Sequence, residues 1–237
     1  MSWGGAGIRA SLVSVALIAA GSPALGQEAA PIEADIPWSK AQAMVLPSLV
    51  TARAADPKAC HPYIDSIWVC HLLLSVGEGL NFHERRVSAD DLARWRLDES
   101  DVARQAVANL DHRAAVQDLD IVWVGDGRPE YAAHSTRVGT AAAWLLTPAF
   151  TRKLQALWKG DWFVAMASSD DFYAWPVDLP LDRQSGRVQT VHDLVDLARR
   201  QDGVLSEHVY LWHAGQLRVA TAAEIGAQHA LAPLSVR

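Results

Sequence analysis

An α+β fold is what this sequence predicts, with a mixed or antiparallel sheet carrying helices on one face. Two observations lead there. Short runs rich in β-branched and aromatic residues, such as SIWVCHLLLSV (66–76) and WFVAMA (162–167), are separated by segments of helical periodicity. In the C-terminal half the expected order is strand, helix, strand, strand, helix, strand, loosely βαββαβ, with one more strand at the end.

The N-terminus precedes that domain. Residues 1–26 read as an export signal: Arg9 is the only charge, an apolar run covers 10–20, and Ala24, Leu25 and Gly26 supply a small-residue cleavage site. The run is shorter than the roughly 20 residues a membrane-spanning helix needs, so no membrane span is expected after cleavage. The expected location is periplasmic or secreted. Residues 27–37 (QEAAPIEADIP) read as a polar tether, and 38–237 as one α+β domain, with any division into subdomains falling near 116–130.

Residues 39–45 suggest a short helix stopped by Pro47. Strand 66–76 follows, ended by Gly77 and Gly79. Ser88 with Asp91 three positions on forms a short-armed capping box, and Asp98 opens a second helix with the stripe Val102, Ala106, Val107, Leu110. LDIVWV (119–124) reads as a strand closed by Gly125-Asp126-Gly127. Residues 130–146 look extended, ending in a strand over 141–146. Thr147-Pro148 starts a helix with Phe150, Leu154, Leu157 and Trp158 facing inward and Gly160 as its cap. WFVAMA, SSDD and FYAWPV spell strand, turn, strand. Thr190 and Asp193 suggest a helix ending near Gly203. HVYLWH (208–213) and QLRVA (216–220) form a last hairpin.

The stretch GLNFHERRVSADDLARWRLDESDVARQAVANL (79–110) resembles the middle signature of the YtpQ-like bacterial proteins, with its V-T-x-x-D-L-x-x-W-G-L pattern. Leu46-Pro47-Ser48-Leu49, WFVAMASSDDFYAWPVD and LSEHVYLWHAGQL are similar to other parts of that family, so the resemblance covers about residues 43–217 in order. It implies an α+β domain of unknown biochemical role with no catalytic residues to carry over. The chain departs from the pattern in its leader, in Arg96 where the family has glycine, and in Cys60 and Cys70.

Charge and chemistry narrow the function classes. Without Arg9 the balance is 20 basic against 27 acidic residues, or −7, which argues against nucleic acid as a partner. The partner expected is an unidentified protein or small molecule. In CHPYIDSIWVCH (60–71) the nine residues between the cysteines do not fit haem attachment. Cys70 and His71, as neighbours in a strand, point to opposite faces and cannot share an ion. Export favours a Cys60–Cys70 disulfide over free thiols or a metal site. No metal, cofactor or catalytic residue is assigned.

His134-Ser135 lacks the elbow and geometry of a nucleophilic pair. Asp170-Asp171 suits a turn better than a cation site. His83-Glu84 lacks the second histidine of a zinc-protease helix. His208, Tyr210 and Trp212 share one strand face and are the only candidate ligand surface. The expected function is therefore an exported, non-catalytic binding or envelope accessory domain. The alternatives are a hydrolase assembled from distant residues and a metal-handling protein.

Overall fold

The computed structural model describes residues 29–77, 81–123, 127–201 and 203–226. The expected export signal lies outside them, as do Gly79, Gly125-Asp126 and the tail after 226. The architecture is α+β, built on two antiparallel sheets.

The N-terminal half opens with α1 (Trp38–Ala41) and β1 (Val45–Thr51). Next come β2 (His61–Ile64), β3 (Ile67–Val76) and β4 (Phe82–Arg86), then α2 (Ala89–Trp95) and α3 (Glu99–Val116). β3 is central, flanked by β1 on one side and by β2 and β4 on the other. α2 starts on the expected capping box, Ser88 with Asp91, and α3 on the expected Asp98 cap. Val102, Ala106, Leu110 and Ala114 of α3 are buried, and the first two pack with Val45 and Leu73 of the sheet. Residues 29–37 are not a free tether. Ala29 and Ile36 are buried, and Trp95 donates its indole N–H to the Ile36 carbonyl at 2.8 Å.

The C-terminal half contains β5 (Asp120–Trp123), β6 (Pro129–Ser135), α4 (Pro148–Trp158), β7 (Trp162–Ser168), β8 (Asp171–Pro176), α5 (Leu181–Arg200), β9 (Val209–His213) and β10 (Gln216–Val219). The sheet order is β10-β9-β7-β8-β6-β5, so β6-α4-β7-β8-α5-β9 has the expected βαββαβ order in antiparallel form, with β6 in place of the strand expected over 141–146. β7 shows why WFVAMA is apolar throughout. Trp162, Val164 and Met166 pack in one core with Phe150 and Leu154 of α4; Phe163, Ala165 and Ala167 pack in a second core with Val188, Val191 and Val195 of α5. The six-stranded sheet thus carries α4 on one face and α5 on the other, where the sequence led to helices on one face only.

The two halves share one core, in which Leu46, Leu49 and Leu72 meet Phe150, Trp162 and Phe172. Most tryptophans are structural, as their buried area requires: Trp144, Trp162 and Trp175 are fully enclosed. Four local expectations change. Residues 39–45 are a single helical turn followed by the start of β1. Residues 141–146 form a 3₁₀ turn (Ala142–Leu146), not a strand. α4 ends on Lys159 in the left-handed conformation, not on Gly160. α5 begins after Pro180, well before Thr190.

Candidate metal centre

The expected disulfide is present: Cys60 and Cys70 are bonded, with Cα atoms 4.4 Å apart. That spacing is typical of residues directly opposite each other on antiparallel strands. His61 pairs with Val69 and Pro62 with Trp68, so Cys60, one residue before β2, stands across from Cys70. Alternation then dictates the rest. The cysteines point to one face of the hairpin, while His61, Val69 and His71 point to the other. Cys70 and His71 are separated as the sequence predicts. His61 and His71, diagonal neighbours across the two strands, are brought together with ring centroids 6.3 Å apart.

Glu99 completes the cluster. It is the first residue of α3, where the partial positive charge of the helix N-terminus favours a carboxylate. Its Oε1 meets His71 Nε2 at 2.6 Å and His61 Nδ1 at 2.8 Å. Burial pushes the Glu99 carboxyl up, but hydrogen bonds with His71 and then His61 outweigh it and hold the group below the usual carboxylate range. His71 is fully buried, and among the described residues its Nδ1 has no hydrogen-bond partner, so the ring's polar contact is the one at Nε2. His61 and Glu99 are 43% and 23% exposed at the side chain, so the cluster opens to solvent on that side.

The ligand atoms of His61, His71 and Glu99 all lie within 4.8 Å of one another. A tetrahedral ion with bonds of about 2.0–2.1 Å sets its ligand atoms about 3.3 Å apart, so the 2.6 Å and 2.8 Å contacts would widen by about 0.7 and 0.5 Å to admit one. Two imidazoles and one carboxylate are a donor set suited to Zn²⁺ and its first-row neighbours, with the remaining position facing water.

The other candidates from the sequence are placed differently. His208 is exposed, but Tyr210 is fully buried and bonded to Ser206 Oγ at 2.8 Å; burial pushes its hydroxyl pKa up to about 12. Trp212 stacks on Trp162 at 5.2 Å with rings nearly parallel. His208, Tyr210 and Trp212 therefore do not form an open ligand surface. His134 is buried against Trp144 with centroids 4.0 Å apart, while Ser135, the next strand residue, is exposed. Asp170 and Asp171 serve the β7–β8 turn: Asp170 accepts from the Gly139 amide and Asp171 from the Ser168 hydroxyl. His83 and Glu84 lie on β4, where successive side chains diverge.

No family model matches this chain, and neither the curated proteins nor the solved structures give a match. Among the described residues, no helix is long and apolar enough to cross a membrane.

The pair that matters is His61 with His71, not Cys70 with His71. The missing signal was available. If Cys60 faces Cys70 across two antiparallel strands, the residue after each must lie on the opposite face, and both are histidine. Glu99, 28 residues beyond His71, had no comparable signal, because only the packing of α3 on the sheet brings it there.

Proposed function

We propose that this chain is an exported metal-binding protein, periplasmic or secreted, that holds one divalent first-row transition ion at His61, His71 and Glu99. The observation that carries this reading is the convergence of three ligand atoms from three elements, β2, β3 and the first turn of α3, on one point. Export is supported by the leader and by a disulfide that suits an oxidising compartment. Membership of the YtpQ-like family belongs to the same proposal; it rests on ordered matches over residues 43–217 and supplies no residue roles.

The test is titration of the full chain, oxidised and free of any histidine tag, with Co²⁺ followed by its visible absorption, and with Zn²⁺ by competition against a chromophoric chelator. One equivalent of ion is expected. Glu99→Gln and His61→Ala should each weaken binding by at least about tenfold, as loss of even an outer partner of a metal ligand typically does. Absence of a saturable equivalent, or unchanged affinity in both variants, rejects the reading.

A further inference from the structure

We infer that the Cys60–Cys70 disulfide controls this metal site, so that a dithiol reductant releases the ion by freeing His61. The inference rests on the metal reading above and adds its regulation.

The three ligands are held very unequally. His71 lies on central β3, its carbonyl accepting from the Val87 amide at 2.9 Å and its strand paired to β1 through Pro47. Glu99 is fixed at the start of an 18-residue helix whose buried residues pack with the sheet. His61 sits on β2, a four-residue strand at the edge of its sheet. Pro62 has no N–H to give the ladder, and the register slips between Pro62 and Ile64. The disulfide is the one covalent tie between β2 and β3 at the level of the two histidines, and it joins the residues immediately before them.

Geometry also keeps the sulfurs out of the site they control. The cysteine side chains point to the hairpin face opposite His61 and His71. Cys70 borders a cavity of about 330 Å³ that is also lined by Ser48, His71, Glu84, Arg85, Arg86 and Ser169. Cys60 is 8% exposed and Cys70 3%. A dithiol thiolate attacks the Cys60 sulfur, forming a mixed disulfide while Cys70 leaves as a thiolate and takes a proton. The second reductant thiol then displaces Cys60, which is protonated in turn. The protein disulfide gains two electrons and two protons, and the dithiol becomes a disulfide. The freed thiols cannot replace His61 as ligands, because they remain on the other face of the strand.

Without the tie, His61 must be ordered by metal binding itself, and affinity should fall by about 10- to 100-fold, the range seen when a ligand loses its orienting partner. The experiment compares Zn²⁺ affinity of the oxidised full chain, the Cys60→Ser/Cys70→Ser variant, and the wild type reduced with dithiothreitol, desalted without oxygen and later reoxidised. Near-UV circular dichroism of the tryptophans scores folding in every sample. Weaker binding in both thiol-free and reduced samples, with the near-UV signal retained and affinity restored on reoxidation, is the expected result. If the serine variant does not fold, the reduced and reoxidised wild type decide alone. Affinity within twofold of the oxidised protein, or tighter binding on reduction, overturns the switch while leaving the metal site standing. Loss of the near-UV signal together with the ion also overturns it, since release would then be unfolding. If the oxidised wild type itself binds no Zn²⁺, the metal reading fails and the switch falls with it.

Discussion

Glu99→Ala removes the single carboxylate that both ligand histidines touch, and its consequences can be worked out from their burial. His71 is fully buried, so its bond to Glu99 is a desolvated, charge-assisted one worth about 1.5–3 kcal/mol. The His61 contact is 43% exposed at the histidine and contributes about 0–1 kcal/mol. Losing a carboxylate from the first turn of α3 costs a further 0.3–1 kcal/mol or so. The variant should therefore unfold about 2–5 kcal/mol more easily in the presence of EDTA, since each contribution acts on the folded state alone. The assay is urea denaturation followed by tryptophan fluorescence, with the m-value checked for constancy. Repeating it with Zn²⁺ at 100 times the wild-type dissociation constant should add about 2.7 kcal/mol to the wild type and no more than about 1.4 kcal/mol to a variant whose affinity is at least tenfold weaker. A loss below about 0.5 kcal/mol, the level of a neutral surface change, together with the wild-type gain on adding Zn²⁺, refutes the reasoning.

Three further outcomes are expected. Cys60→Ala/Cys70→Ala should lose about 2.7 kcal/mol of stability, the chain-entropy value for a loop with a sequence separation of 10, as read by the shift in urea midpoint. Burial pushes the His134 imidazole below its ordinary range, against the smaller opposing influence of Asp120 and Asp171. The unfolded chain then binds the proton first, so stability should fall as pH drops through about 6.5 and level off below the folded-state value. The difference between wild type and His134→Phe, measured across pH 5–8 or so, isolates that slope; a flat difference contradicts it. Arg96 ends α2 in the left-handed conformation, at φ 56°. Arg96→Gly should stabilise the protein by about 1 kcal/mol in thermal or urea unfolding, because glycine adopts that conformation without strain.

The parts of the fold legible in the sequence are those where one local signal dominates. Ser88, Asp98 and Thr147-Pro148 each cap the helix they announce, because a hydroxyl or carboxylate at that position satisfies amides the helix leaves unpaired. Where tertiary context decides, the reading fails. Pro47 suggested a break, yet β1 runs through it, since an edge strand can place a residue with no N–H where no donor is needed. Residues 141–146 are apolar enough for a strand, but packing around Trp144 and the helix start at Thr147 turn them into a 3₁₀ segment. The first turns of α5 carry few apolar residues. Gln184 compensates by donating to the Val177 carbonyl and accepting from the Trp175 indole, contacts that no local pattern reveals. The metal cluster divides in the same way: the histidine pair follows from strand alternation, and Glu99 from packing alone.

The hairpin between Cys60 and Cys70 has a consequence for how such a segment can vary. On the cysteine side of the irregularity at Tyr63, His61 with Val69 and Pro62 with Trp68 keep one register, and this aligns the cysteines on one side and sets the histidines diagonally on the other; beyond it, Ile64 with Ile67 is shifted by one residue. Replacing a side chain between them leaves that register intact. Adding or deleting a single residue between Cys60 and Pro62, or between Trp68 and Cys70, would put a cysteine opposite a different partner and turn one histidine to the wrong side, whereas the irregularity at Tyr63 shows that the turn end can take up an offset. The hairpin can therefore drift in composition throughout, but its length is fixed at the cysteine end, where a change would cost the crosslink and the histidine pair together.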